Sequence, residues 1–251
     1  MTAGFIAVIP ARYASTRLPG KPLKDIAGKP MIERVHGQVA RSGASAVIVA
    51  TDDERIAAAC RGFGARVELT SGEHASGTDR IAELARRFEW PDDQIVVNVQ
   101  GDEPLISPLS IAQTARLLGR YPQAAIATLT APLESERDFR DPNFVKVVTD
   151  REGWALYFSR APIPWPRDGE FPAVRRHIGL YAYRAGSLRT ISAAPPCALE
   201  HTEKLEQLRA LWLGLRIVVE HAVEPPSPHV DTEEDLIAIR RHFERVGAAG
   251  A

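Results

Sequence analysis

The chain has 251 residues, 45% of them hydrophobic and 25% charged, a globular composition that excludes a low-complexity or disordered protein and fits one large domain. Its 31 basic and 32 acidic residues leave a net charge of −1, which argues against a nucleic-acid coat or a membrane-surface binder, since both need a basic excess. Cys60 and Cys197 lie far apart with no metal-ligand spacing, which excludes a disulfide framework and a zinc ribbon and suits a reducing compartment.

Residues 5–9 are a short apolar run, the pattern of a buried strand, followed by a polar Gly/Pro-bearing stretch over 10–30. Residues 31–42 place Met31, Ile32, Val35 and Val39 at helical spacing. A strand at 46–50, a helix at 53–62, a short strand at 67–69 and a helix at 78–88 follow, then an apolar strand at 95–99 and a helix at 107–118 with Pro108 in its first turn. This strand–helix alternation predicts an α/β fold with a mostly parallel central sheet flanked by helices. The longest charge-free run, 121–133, falls short of the ~17 residues needed to cross a bilayer. The apolar start at 4–9 has no basic region before it and runs into Pro10-Ala11-Arg12, so no signal peptide is read and a cytoplasmic protein is expected.

The second half differs. Strands are expected at 126–131, 145–149 and 154–159, the last two joined by the turn Asp150-Arg151-Glu152-Gly153. A proline-rich loop covers 160–174, and a strand at 177–183 alternates, with Ile178, Leu180 and Ala182 on one face and His177, Tyr181 and Tyr183 on the other. A helix at 199–213, a strand at 216–220 and a closing helix at 232–245 complete the chain. The region 130–210 reads as a loop-rich excursion within a single domain.

Ligands of such sheets bind outside the carboxyl ends of the strands, here the loops at 10–21, 51–52 and 100–104. Residues 1–30 carry Arg12, Arg17, Lys21, Lys24 and Lys29 against the single acid Asp25, a charge concentration suited to a polyphosphate. The loop is not a Walker A motif, because Gly20-Lys21 is followed by Pro22. Gln100-Gly101-Asp102-Glu103-Pro104 puts carboxylates at a strand end, where magnesium could bind, although these are also turn residues. Asp231 precedes the capping pair Thr232 and Asp235, and capping alone accounts for that acidic cluster. His177 and Tyr181 share a strand face and could touch a polar ligand or simply pack. Glu206 and Gln207 fall away from the apolar stripe of their helix, so both are expected in solvent.

The run Ile9-Pro10-Ala11-Arg12-Tyr13-Ala14-Ser15-Thr16-Arg17-Leu18-Pro19-Gly20-Lys21-Pro22-Leu23 resembles the nucleotide-binding signature of the CMP-Kdo synthetases, the 3-deoxy-manno-octulosonate (Kdo) cytidylyltransferases of Gram-negative bacteria. The likeness continues through Ser76-Gly77-Thr78-Asp79-Arg80, 97–104, 143–148, 155–165, 177–186, 199–209 and 230–236, nearly the whole chain in order.

That resemblance implies a Rossmann-like nucleotidyltransferase fold, a homodimer, and magnesium-dependent transfer of CMP from CTP to Kdo, with pyrophosphate released and the product used for lipopolysaccharide. Carried over, Arg12, Arg17 and Lys21 hold the CTP phosphates, and Ser76 and Arg80 lie near the cytosine. Asp102 and Asp231 hold metal, with Lys21, Asp102 and Asp231 as the catalytic set. Arg160, His177, Tyr181, Glu206 and Gln207 bind the sugar acid, with Gln100 close by. The family chemistry is in-line attack of the anomeric hydroxyl on the α-phosphorus, for which two carboxylates suit a two-metal arrangement. The alternatives are a cytidylyltransferase for 8-amino-Kdo or sialic acid, and a non-catalytic nucleotide-binding module on the same fold.

Overall fold

Strand β1 (Ile6–Ala11) fixes the geometry of everything that follows, because its carboxyl end carries the basic loop. The protein is described by a computed structural model covering residues 4–14, 17–169 and 173–249, with side chains to residue 245. Ser15 and Thr16 of the signature, and residues 170–172 of the expected proline-rich loop, lie outside the described residues.

After β1 come a 3-10 turn (Lys21–Leu23), a miniature hairpin of β2 (Asp25–Ile26) and β3 (Lys29–Pro30), and α1 (Met31–Ala40). Then follow β4 (Ala46–Thr51), α2 (Glu54–Gly62), β5 (Arg66–Leu69), α3 (Gly77–Arg87), β6 (Ile95–Asn98) and α4 (Pro108–Arg120). Three of these helices start on a side-chain cap: the Asp53 carboxylate accepts the Arg55 N–H, Ser76 the Asp79 N–H and Ser107 the Leu109 N–H. The second half adds β7 (Ile126–Pro132), α5 (Glu136–Arg140), β8 (Lys146–Thr149), β9 (Ala155–Ser159), β10 (Arg175–Arg184), α6 (Ala185–Ala193), α7 (Ala198–Glu203), α8 (Gln207–Trp212), β11 (Ile217–His221) and α9 (Glu233–Ala249).

The sheet runs β11-β7-β10-β6-β1-β4-β5, with the β8–β9 hairpin attached through β10. Parallel pairs join β11 to β7, β6 to β1, β1 to β4 and β4 to β5, while β10 is antiparallel to both its neighbours. The carboxyl ends of β1, β4, β6, β7 and β11 therefore share one edge, and β10 begins there. This is the mostly parallel sheet that the apolar strand pattern predicts.

Period-two alternation divides the core. Ala7, Ile9 and Val97 face Ile32 and Val35 of α1 and Ile111 and Leu118 of α4. Val8, Ile48 and Val96 face Ile81 and Leu84 of α3, Leu188 of α6 and Leu208 of α8. Each such fully buried aliphatic side chain contributes about 1.5–3 kcal/mol of transfer free energy. The alternation expected at 177–183 holds: Ile178, Leu180 and Ala182 pack in the first layer, Tyr181 and Tyr183 in the second. Between Ile178 and Tyr181 the pairing with β7 slips, a local irregularity that the alternation does not reveal.

One expectation is overturned. The continuous helix at 199–213 is two short helices, because Lys204 adopts the left-handed conformation, φ 54°, while its N–H still closes α7 on Glu200 O at 2.8 Å. The break re-aims the second half. Gln207 is 6% exposed and Glu206 half-buried, whereas the apolar Trp212 is 63% exposed. Glu206 and Gln207 thus face the protein, contrary to the solvent exposure expected from an unbroken helix. Helix α6 had no clear signature either, since only Ala185, Leu188 and Ile191 of it are buried.

Candidate active site

The basic loop is shaped by contacts close to the strand end. Gly20 N donates to Tyr13 O at 3.2 Å, and at φ +67° it occupies a region that L side chains rarely adopt. Leu18, Ile26 and Met31 then form a small separate core with Val230, Leu236 and Ile239. That core clamps the loop to the start of α9 and carries Asp231 to the first strand. Thr232 and Asp235 cap α9 as expected: Asp235 N donates to Thr232 Oγ1 at 3.2 Å and Thr232 N to Asp235 Oδ2 at 2.9 Å. Capping leaves the Asp231 carboxylate free for other partners.

Those partners are Lys21 and Arg17. Lys21 Nζ donates to Asp102 Oδ2 at 2.7 Å, to Val230 O at 2.9 Å and to Asp231 Oδ1 at 3.0 Å. Arg17 lies 3.1 Å from Asp231 Oδ2. Burial opposes the Lys21 charge, but Asp102 and Asp231 outweigh it and hold the ammonium above its usual pKa. Burial likewise works to raise Asp231, yet Lys21, Arg17 and His229 together keep its carboxyl below the ordinary range. Gly101 allows this convergence, because a Cβ there would sit 2.9 Å from Pro10 O.

Asp102 and Asp231 already converge on one cationic point. Two hard oxygen donors are what magnesium commonly takes from a protein, with phosphate and water completing its shell, so the pair fits the ion. Among the described residues no cluster of three or more His, Cys, Asp or Glu side chains is arranged to hold a metal.

These residues line a cleft of about 330 Å³ at the carboxyl edge of the sheet, and Arg12, Arg17, Lys21, Ser76, Arg80, Gln100, Asp102 and Asp231 all border it. The whole predicted nucleotide set, with Gln100, is therefore brought together. Arg80 is already committed: its guanidinium pairs with Asp52 Oδ2 at 3.0 Å and also meets Thr70 Oγ1 and Ser71 O. Ser76 Oγ accepts the Asp79 N–H at 3.1 Å and lies 3.0 Å from Asp79 Oδ2 and 3.1 Å from Glu206 Oε1. That last contact joins the cleft to the acceptor-side residues. His74 also borders the cleft and was missed in the sequence; its only signal there is a histidine just before a helix-capping serine.

The expected acid-binding residues form two groups. His177 and Tyr181 are in contact with their ring centroids 5.1 Å apart and their planes tilted by 46°, and His177 Nε2 lies 2.9 Å from Thr128 Oγ1. Burial alone pushes His177 down to about 3. Burial raises Glu206 as well, only partly offset by the Thr78 and Ser76 hydroxyls and Arg209. Among the described residues the buried Gln207 Nε2 has no hydrogen-bond partner, nor does Asn98 Oδ1 at the end of β6; such groups call for an explanation such as a ligand or a water. Arg160 stands apart. It donates from Nε to Glu203 O at 2.7 Å and from a terminal nitrogen to Pro142 O at 2.9 Å. Neither Arg160 nor His177, Tyr181, Glu206 or Gln207 is among the residues lining the cleft, which Glu206 reaches only through Ser76. Lys146, fully buried, fastens the same region through Arg160 O and Asp141 O.

A cytidylyltransferase family model matches residues 6–217. The chain is 55% identical to a protein named 3-deoxy-manno-octulosonate cytidylyltransferase from Pseudomonas syringae pv. tomato, over 97% of this chain and all of the relative. It is also 55% identical, with the same coverage, to one of that name from Pseudomonas fluorescens. Among solved structures, a CMP:2-keto-3-deoxy-manno-octonic acid synthetase complexed with CTP superposes with a TM-score of 0.91 at 40% identity, covering 97% of this chain and 99% of that one. A 4-diphosphocytidyl-2C-methyl-D-erythritol synthase, with a TM-score of 0.64 at 16% identity over 97% and 99% of the two chains, shares the fold. With a cytidylyltransferase model matching most of its length and relatives of that name 55% identical over 97% of it, the chain belongs to the 3-deoxy-manno-octulosonate cytidylyltransferase family.

Proposed function

We propose that this chain transfers CMP from CTP to the anomeric hydroxyl of Kdo, releasing pyrophosphate and giving CMP-Kdo for lipopolysaccharide assembly. The observation that carries this reading is the meeting of Lys21, Asp102 and Asp231 in a cleft flanked by Arg12 and Arg17. Relatives bearing the Kdo name at 55% identity, and a CTP-bound synthetase of closely similar structure, support the choice of nucleotide and acid.

The anomeric oxygen attacks the α-phosphorus in line, the bond from the α-phosphorus to the oxygen bridging it to the β-phosphate breaks with the electron pair leaving on pyrophosphate, and the hydroxyl proton passes to solvent water. Little covalent work falls to the protein, so rate comes from positioning and from charge neutralisation. Arg12, Arg17 and Lys21 grip the triphosphate and neutralise the pyrophosphate as it leaves. Ser76 and Arg80 border the nucleoside end. Glu206, Gln207, His177 and Tyr181 offer hydrogen bonds to the hydroxyls of the acid, Arg160 a guanidinium to its carboxylate, and Gln100 sits where the two substrates meet. Asp102 and Asp231 would hold magnesium, which when bound there polarises phosphate oxygens and lowers the pKa of a bound hydroxyl.

The reading includes a homodimer and a cytoplasmic location, where CTP is made. Leu156 on β9, 62% exposed, and Trp165, 66% exposed, give the 130–210 excursion an apolar surface suited to a second copy. The test is pyrophosphate release by the purified protein with CTP, magnesium and, separately, Kdo, its 8-amino analogue and sialic acid. Release with Kdo well above the other acids is expected; silence with Kdo, or preference for another acid, overturns the reading.

A further inference from the structure

The cleft has two chemically different ends. Arg12, Arg17 and Lys21 concentrate positive charge at one, the place for a triphosphate. The other end is the segment leading into α3, where the nucleoside must lie. Its polar side chains are mostly spoken for: Arg80 is bound to Asp52, Thr70 and Ser71, and Ser76 to Asp79 and Glu206.

His74 is not. Its Nε2 lies 2.5 Å from Glu83 Oε2. Glu83 is itself held in place, accepting the Ser71 N–H at 2.9 Å and lying 4.0 Å from Arg87. Burial tends to raise the Glu83 carboxyl, but Ser71, His74 and Arg87 outweigh it and keep it below its usual range. An ionised carboxylate can only accept a hydrogen bond, so the imidazole donates to it from Nε2 and, when the ring is neutral, exposes a lone pair on Nδ1. Nδ1 has no protein partner among the described residues, and the ring borders the cleft.

We propose that His74, oriented by Glu83, selects cytosine over uracil, its Nδ1 accepting an N–H of the exocyclic amine. The inference rests on the proposed use of CTP. Cytosine presents an amine donor at the position where uracil presents a carbonyl oxygen, so uracil would set two acceptors against each other and leave both unpaired. Glu83 touches no substrate; it is a positioning residue that fixes which ring nitrogen holds the proton.

The test compares kcat/KM for CTP and for UTP, at saturating Kdo, in the wild type, His74→Ala and Glu83→Gln. Because the ratio of the two values is insensitive to the fraction of protein folded, a destabilised variant still reports. His74→Ala is expected to lower the CTP-to-UTP preference about tenfold, the worth of one hydrogen bond and its lost repulsion. Glu83→Gln can donate to Nε2 and move the ring proton to Nδ1, so it should shift the preference in the same direction, partly by raising UTP turnover. An unchanged ratio in both variants, or equal losses with both nucleotides, overturns the inference. A wild type inactive with CTP overturns the proposed function and this inference together, whereas an active wild type with unchanged variants overturns the inference alone.

Discussion

Lys21 Nζ lies 2.7 Å from Asp102 Oδ2, although 81 residues separate them. Asp231 closes on the same ammonium from 210 residues away. One cation thus holds together two carboxylates supplied by a strand end and a helix start, and the basic loop is welded to both.

Lys21→Met leaves those carboxylates without their shared partner and the triphosphate without a donor. Turnover is expected to fall by roughly 10²–10³, the scale of losing one charge-stabilising donor. Asp102→Ala is expected to abolish turnover while leaving the fold intact. Steady-state pyrophosphate release checks both, with circular dichroism as the control for folding.

Gly101→Ala tests the close approach of β6 to β1. The new Cβ would meet Pro10 O at 2.9 Å, a backbone atom that cannot swing aside. The strand end must move, drawing Asp102 from Lys21. Activity is expected to drop at least about tenfold, at a stability cost of about 1–3 kcal/mol. Urea unfolding and kcat measure the two effects.

Arg209 anchors α8, and through it Gln207. Its guanidinium binds Glu200 with Nε–Oε2 at 2.8 Å and a second contact at 2.5 Å, and it also donates to Ile191 O and Ala194 O. The side chain is 7% exposed. Arg209→Met strands a half-buried carboxylate, 13% exposed, so unfolding should become easier by about 2–4 kcal/mol, somewhat less than for a fully buried pair. KM for Kdo should rise more than KM for CTP, since the helix released is the one proposed to contact the acid.

His177 gives the protein an acid-sensitive limb. Its pKa falls from 6.5 unfolded to about 3 folded, so between those values the unfolded chain binds the extra proton. The contribution of this residue to stability is complete above pH 6.5 and is lost as pH drops toward 3, at most about 1.4 kcal/mol per pH unit. His177→Phe should flatten that slope, read from melting temperatures between pH 7 and pH 4.

Much of this was legible in the residues. Apolar runs such as Val8, Ile9, Val96 and Val97 mark buried parallel strands whichever way the chain later turns, and the loop charges of Arg12, Arg17 and Lys21 mark the ligand edge. The meeting of Asp231 with Lys21 was not legible from spacing, since a capping cluster explains the same acids locally. It depends on Leu18, Ile26 and Met31 packing with Val230 and Leu236, a core assembled from opposite ends of the chain. The break at Lys204 was hidden because Leu199, Leu205, Leu208 and Leu211 keep helical spacing through a left-handed residue. Glu206 and Gln207 consequently looked solvent-facing, and only the family resemblance singled them out. His74 carried no pattern at all until Glu83 was seen beside it.

The most direct measurement is phosphorus NMR of one reaction containing the protein, CTP, magnesium and Kdo. A phosphodiester resonance of CMP-Kdo should grow in step with pyrophosphate, and neither should form without Kdo. Inorganic phosphate with CDP as the products, or pyrophosphate released equally well in the absence of Kdo, would contradict the account.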